Sequence, residues 1–245
     1  MDGYLLVDKP VGMTSHDVVA KIRRILATEA RIENRESRII PNSQFPIPPS
    51  AKPKVGHTGT LDPLASGLMI LVLGSYTKRA QEFSKMGKTY EAELTLGLTS
   101  ATGDGEGPII QSSKERVARS KVEEVLKGFV GKISQTPHAH SAVKVGGQRA
   151  YKLARAGKEF KIEPRLVTIY TVEDVDYKYP KLRFTTEVSS GTYIRSLAED
   201  IGQKLGTGAY VSALRRTKVG NHDIKNAMSL ESLNINTIQT EVVKE

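Results

Sequence analysis

The chain predicts an α+β fold, and three observations carry that expectation. Strand-like and helix-like segments are mixed without the regular strand–helix–strand rhythm of a doubly wound protein. The apolar run Leu68 to Leu73 suits a buried strand, and Tyr90, Ala92, Leu94 and Leu96 alternate with Glu91, Glu93 and Thr95 as in a half-buried one. Thr192 to Leu205 places Ile194, Leu197, Ile201 and Leu205 on one face of a helix. A mixed, largely antiparallel central sheet with flanking helices, in one domain over residues 1–245, is the expected architecture.

Each element has its own local reason. Gly3 to Lys9 reads as a short strand ended by the turn signal Lys9-Pro10. Ser15 is placed as the cap of a helix whose apolar stripe is Val18, Val19, Ile22, Ile25 and Leu26. Thr28 to Lys54, polar and broken by Pro41, Pro46, Pro48, Pro49 and Pro53, reads as an exposed, flexible insertion. Glu115 to Phe129 is expected to be helical, with Val117, Val122, Val125, Leu126 and Phe129 towards the core. Leu166 to Tyr177 and Lys181 to Ser189 read as paired strands joined through Pro180. A last short helix is expected to begin at Ser229 to Leu233, with a tail that frays after Ile238.

Composition narrows the chemistry. The 245 residues contain no cysteine, which excludes disulfides, thiolate metal ligands and a cysteine nucleophile. Met1 to Pro10 does not read as a signal peptide, and no apolar run is long enough to span a bilayer, so a soluble, cytoplasmic protein is expected. The formal net charge is +9, and it is not spread evenly. Residues 113–165 carry 13 basic and 5 acidic side chains, nearly the whole surplus. Such a block is either the electrostatic footprint of a nucleic-acid partner or a solvated face.

Two short segments could carry a reaction. In Lys54 to Gly67, three glycines and a proline hold His57 and Asp62 on a turn-rich connection before a buried strand. Asp62-Pro63 also fits a helix start, with Asp as N-cap and Pro at N1. In Thr192-Tyr193-Ile194-Arg195, a cap at Thr192 puts Arg195 at N3, where the helix dipole disfavours a cation by several tenths of a kcal/mol. Either a buried carboxylate offsets that cost or the side chain reaches solvent. Tyr90 is a core residue or a platform for an unstacked base. His138 and His140 form a His-x-His, but nothing completes a zinc set, so no metal is expected.

At Gly56 to Gly67 (Gly-His-Thr-Gly-Thr-Leu-Asp-Pro-Leu-Ala-Ser-Gly) the chain resembles the TruB family of tRNA pseudouridine synthases. Gly3 to Pro10 with Met13-Thr14-Ser15, Lys88-Thr89-Tyr90-Glu91, Ser141-Ala142-Val143-Lys144 through Arg155, Gly191 to Arg195, and Leu214-Arg215-Arg216 follow in family order. The resemblance implies a pseudouridine synthase fold and isomerisation of uridine 55 in the T-loop of tRNA, with no cofactor or metal. It implies Asp62 as the essential nucleophile or base, with His57 and Tyr90 holding and stacking a flipped nucleotide. Arg195 would pair with the aspartate, while Tyr193 and Leu214 line the pocket. Lys9, Lys144, Arg149, Lys152 and Arg155 would lie along the RNA backbone, the last four in a thumb-like segment within 113–165. The expected partner is the tRNA T-stem-loop, with no membrane, no obligatory protein partner and a monomeric chain.

The chain also departs from the family pattern. Thr28 to Lys54 is longer than the corresponding connection, the sequence leaves no room for the PUA domain that many members carry, and His140 stands where a tyrosine is usual. Two alternatives accompany the main reading: a guide-dependent synthase of the dyskerin type with another RNA target, and a tRNA chaperone without chemistry.

Overall fold

The computed structural model describes residues 1–37, 53–141 and 143–244. In chain order the strands and helices begin with β1 (Gly3–Lys9), α1 (Ser15–Ser37), β2 (Val55–His57), β3 (Ser66–Leu73) and α2 (Ala80–Ser84). There follow β4 (Lys88–Leu96), β5 (Leu98–Ser100), β6 (Ile109–Gln111), α3 (Arg119–Lys127) and β7 (Gly131–Gln135). Next come β8 (Lys144–Val145), β9 (Gln148–Arg149), α4 (Ala150–Arg155), β10 (Arg165–Lys178) and β11 (Lys181–Val188). The chain continues through α5 (Ile194–Leu205), β12 (Ala209–Val219), β13 (His222–Asp223), β14 (Met228–Ser229) and α6 (Ile235–Glu241). These elements form two compact units, Met1–Ser84 with Val219–Glu245, and Lys85–Lys218.

In the first unit the apolar run is β3, buried at every position after Ser66. It pairs antiparallel with β1 from Gly3↔Leu73 to Lys9↔Gly67, and β2 joins it at Val55↔Leu73 through His57↔Leu71. β14 adds to β1 in parallel, so the sheet is mixed. Val18, Val19 and Ile22 of α1 are fully covered, as the stripe requires. The cap differs from expectation. Thr14, not Ser15, caps α1: its hydroxyl accepts from Asp17 N at 3.1 Å, while Asp17 Oδ2 accepts from Thr14 N at 2.9 Å. This reciprocal box frees Ser15 for another task. α1 also continues to Ser37 rather than ending near Leu26, because no proline or glycine occurs between Ser15 and Ser37. The rest of the expected insertion, residues 38–52, lies outside the described residues.

The C-terminal segment departs from expectation too. The last helix starts at Ile235, set by an Asn234–Thr237 capping box. Instead of fraying after Ile238, the chain buries Ile238 completely and pairs Val243 with Tyr4 through two 3.0 Å backbone bonds. Burial and pairing supply what local propensity did not.

The second unit holds the strand order β12-β4-β11-β10-β7. β4 shows the expected alternation, with Lys88, Tyr90, Ala92 and Leu94 buried and Glu91 exposed. β10 and β11 are the paired strands joined through Pro180, and β11 continues onto β4 with Thr186 opposite Tyr90. α5 buries Ile194, Leu197 and Ile201, while α3 buries Val122, Val125 and Leu126. α3 begins at Arg119 rather than Glu115. The Tyr177 hydroxyl donates to the Val117 carbonyl at 2.9 Å, which fixes that stretch as extended chain.

Candidate functional site

In the first unit, Asp62 sits half-buried on the connection between β2 and β3. Its carbonyl accepts the Ala65 N–H at 3.0 Å, so Asp62-Pro63-Leu64-Ala65 is a β-turn with Pro at its favoured second position. No helix follows, and the N-cap reading of Asp62-Pro63 is excluded because β3 begins at Ser66. Both neighbours of Asp62 are clamped through their backbone. The buried Ser15 hydroxyl accepts from Leu61 N at 2.8 Å and donates to Leu61 O at 2.9 Å. Gly12 N donates to Pro63 O at 2.8 Å. Ser15 therefore serves the loop and not the helix end.

Lys9, expected beside an RNA backbone, is 0% exposed. Its ammonium donates to Pro10 O at 2.9 Å and Met13 O at 2.6 Å, fixing the turn that carries Gly12 and leads into Ser15. Its place is inside the protein, under the loop clamps. His57 ends β2, half-buried, five residues before Asp62.

In the second unit, Arg195 falls at the second position of α5 behind an N-cap at Tyr193, rather than at the third behind Thr192. It remains in the first turn, where a cation is disfavoured, and it is buried. Its compensation is visible. Nη1 lies 3.4 Å from Asp104 Oδ2 and donates to Thr102 O at 2.9 Å, while Nη2 donates to His140 O at 3.2 Å. Asp104 is itself fixed by Thr102 Oγ1 at 2.5 Å and Glu106 N at 3.1 Å. The residues alone leave open a buried carboxylate or solvent for Arg195, and the resemblance names Asp62; the carboxylate the structure places at the guanidinium within this unit is Asp104. The signal was Thr102-Gly103-Asp104-Gly105, a glycine-rich loop bearing an acid, with Gly103 at φ +72°.

Gln135, 1% exposed, was also missed. Its side-chain amide accepts from Tyr193 N at 2.8 Å and donates to Tyr193 O at 3.1 Å, setting the entry to α5. The Tyr193 ring lies 5.2 Å from the Arg165 guanidinium. Tyr90 is 8% exposed on β4, and Leu214 is half-buried on β12, the neighbouring strand. Lys88, two residues before Tyr90, has its ammonium pulled down to about 8 by burial first and the Arg216 charge second. The His140 imidazole is held below its ordinary range by burial, then by His138, Arg195 and Arg155, against the opposing Asp104.

Lys144, Arg149, Lys152 and Arg155 come together on one exposed module. β8 and β9 pair Lys144 with Arg149 across a Gly146-Gly147 turn, and α4 follows directly. Both glycines have positive φ (55° and 82°), as a two-residue hairpin turn demands. The four cations project to solvent from this hairpin and helix. Among the described residues no group of three or more His, Asp or Glu could hold a metal, and no helix is long and apolar enough to cross a membrane.

The structure matches a Cbf5-Nop10-Gar1 complex at TM-score 0.65 and 30% identity, over 95% of this chain and 53% of that one. An H/ACA RNP bound to a substrate RNA containing 2′-deoxyuridine matches at TM-score 0.65 and 27% identity, over 99% and 56%. The chain thus spans about half the length of these solved chains, and its fold is that of the pseudouridine synthases. The family model of the TruB pseudouridylate synthase N-terminal domain covers residues 49–194, and that of the tRNA pseudouridylate synthase B C-terminal domain covers 195–244. tRNA pseudouridine synthase B of Dechloromonas aromatica is 42% identical over 95% of this chain and 70% of its own length. The protein of the same name from Burkholderia lata is 41% identical over 95% and 65%. The chain belongs to the TruB family of pseudouridylate synthases.

Proposed function

We propose that this chain isomerises uridine 55 in the T-loop of tRNA to pseudouridine, as a monomer in the cytoplasm and without a protein partner. The carrying observation is about 42% identity over 95% of the chain to relatives named tRNA pseudouridine synthase B. The segment that bears Asp62 is also built as a fixed turn, which suits a group that must meet one atom of its substrate. In the reaction the C1′–N1 bond breaks and a C1′–C5 bond forms. The C5 hydrogen leaves as a proton and N1 takes one up, so no redox partner or metal is required.

Asp62 acts as the nucleophile or base and Arg195 is a residue of the substrate site, each in the role the family resemblance gives it. Asp104, Thr102 O and His140 O hold the guanidinium in one orientation. His57 and Tyr90 hold and stack the flipped uridine, because C1′ and C5 are out of reach inside a base stack. Tyr193 and Leu214 line the pocket, and the exposed hairpin cations follow the phosphate backbone. A related synthase with a guide-selected target is the second reading, carried by the likeness to a Cbf5 complex, at lower identity than to the tRNA enzymes. Tritium release from a bare T-stem-loop carrying [5-³H]uridine separates the two. Release at position 55 without added RNA or protein supports the tRNA reading, and no release contradicts it.

A further inference from the structure

His138 has no part in the proposed reaction, yet it belongs to one of the two loops that hold the Arg195 guanidinium and contacts the helix that carries it. We infer that His138 is a positioning residue for the Arg195 guanidinium, acting through the 138–140 loop and Glu199. Its ring is almost fully covered, and both nitrogens are used. Nδ1 accepts the His140 N–H at 3.1 Å, closing a turn of the kind asparagine makes with the residue two further on. Nε2 lies 3.2 Å from Glu199 Oε1. Since Nδ1 accepts, the proton sits on Nε2 and is donated to the carboxylate, which selects one neutral tautomer.

Glu199 follows Arg195 by one turn of α5, on the same helix face. The imidazole therefore ties the loop to the helix that carries the guanidinium. The turn closed by Nδ1 sets the direction of the next carbonyl, that of His140, and this is the one receiving Arg195 Nη2. The His140 ring stacks on His138 at 5.6 Å and 28°, which stiffens the turn. Gly103, in the loop that supplies Thr102 O and Asp104, packs into the same joint. A Cβ there would stand 3.0 Å from Glu199 Oε1, 3.1 Å from His138 Cδ2 and 3.2 Å from Arg195 Cβ.

The inference rests on the proposed isomerisation, in which Arg195 is a residue of the substrate site. The test uses the full chain and tRNA in single-turnover kinetics, with tRNA affinity and melting temperature measured in parallel. His138→Ala should slow isomerisation about 10- to 100-fold while changing the dissociation constant for tRNA by less than about twofold. His138→Asn, which can accept the His140 N–H in the same turn, should recover most of the rate. A His138→Ala rate within twofold of wild type overturns the inference. So does a loss that appears equally in tRNA affinity, or one that asparagine does not relieve. Wild-type chain inactive on tRNA overturns the proposed function itself, and is thereby distinguished from failure of the inference alone.

Discussion

Arg195 is buried among Asp104 and the carbonyls of Thr102 and His140, whereas Lys144, Arg149, Lys152 and Arg155 stand in solvent on a hairpin and one short helix. Both groups belong to the same unit and carry the same charge, in opposite physical settings. The buried cation has lost its hydration, so its value depends on geometry: each partner is fixed, and a displaced guanidinium strands Asp104. The exposed cations keep their hydration and are screened by salt, so they act by number rather than by position. One arrangement suits chemistry at a single atom, and the other suits holding a long polyanion.

The largest effect expected from breaking this contrast is at Arg195. Arg195→Lys keeps the charge but loses the planar fork, and isomerisation should fall at least about 100-fold with tRNA affinity nearly unchanged. A single-turnover assay beside a binding titration reads both quantities. Asp104→Asn keeps the shape and removes the charge facing Arg195, and a rate loss of roughly 10- to 100-fold is expected in the same assay. Neutralising Lys144, Arg149, Lys152 and Arg155 together to Gln should instead leave the saturating rate within a few-fold. The slope of log affinity against log salt should shrink by about 3 to 4, from roughly 0.7 to 0.9 per lost phosphate contact.

The smallest effect concerns stability. Glu93 on β4 accepts from Lys181 at 2.6 Å, Arg183 at 2.7 Å and Ser212 at 2.8 Å. Its carboxyl is drawn down to about 2, chiefly by the Lys181 hydrogen bond and against the opposing effect of burial. A carboxyl depressed in the folded state stabilises fully above its unfolded value near 4.5, and that contribution is lost as pH falls through 2. Because its partner cations are largely exposed, Glu93→Gln should cost only on the order of 1–2 kcal/mol at neutral pH. The difference in melting temperature between variant and parent should close as the pH is lowered towards 2.

The contrast also explains what could be read from the chain. Periodicity found the strands and helices that bury a face, such as β3, β4 and α5, because burial writes itself into the sequence at fixed spacing. The basic hairpin was visible as a charge block, since exposed charge needs no partner to be recognised. Asp104 and Gln135 were not visible, because their roles depend on partners 91 and 58 residues away along the chain. Arg195 lay between these cases: its position at a helix start posed a choice between a buried carboxylate and solvent, without showing which. Ser15 was misplaced as a cap for a related reason, since Thr14 satisfies the same local pattern and only the fold shows Ser15 gripping Leu61. The helix from Thr28 to Ser37 and the ordered C-terminal segment were missed where polar composition or chain position outweighed helix propensity, burial and pairing.

The central claim is that the fixed turn at Leu61 to Pro63 presents a reacting carboxylate to uridine. Asp62→Asn preserves the size and turn chemistry of the side chain and removes only its ability to act as nucleophile or base. In single-turnover tritium release from [5-³H]uridine-labelled tRNA, this variant should release no more than background while binding tRNA within about threefold of wild type. Release at near wild-type rate would contradict the claim.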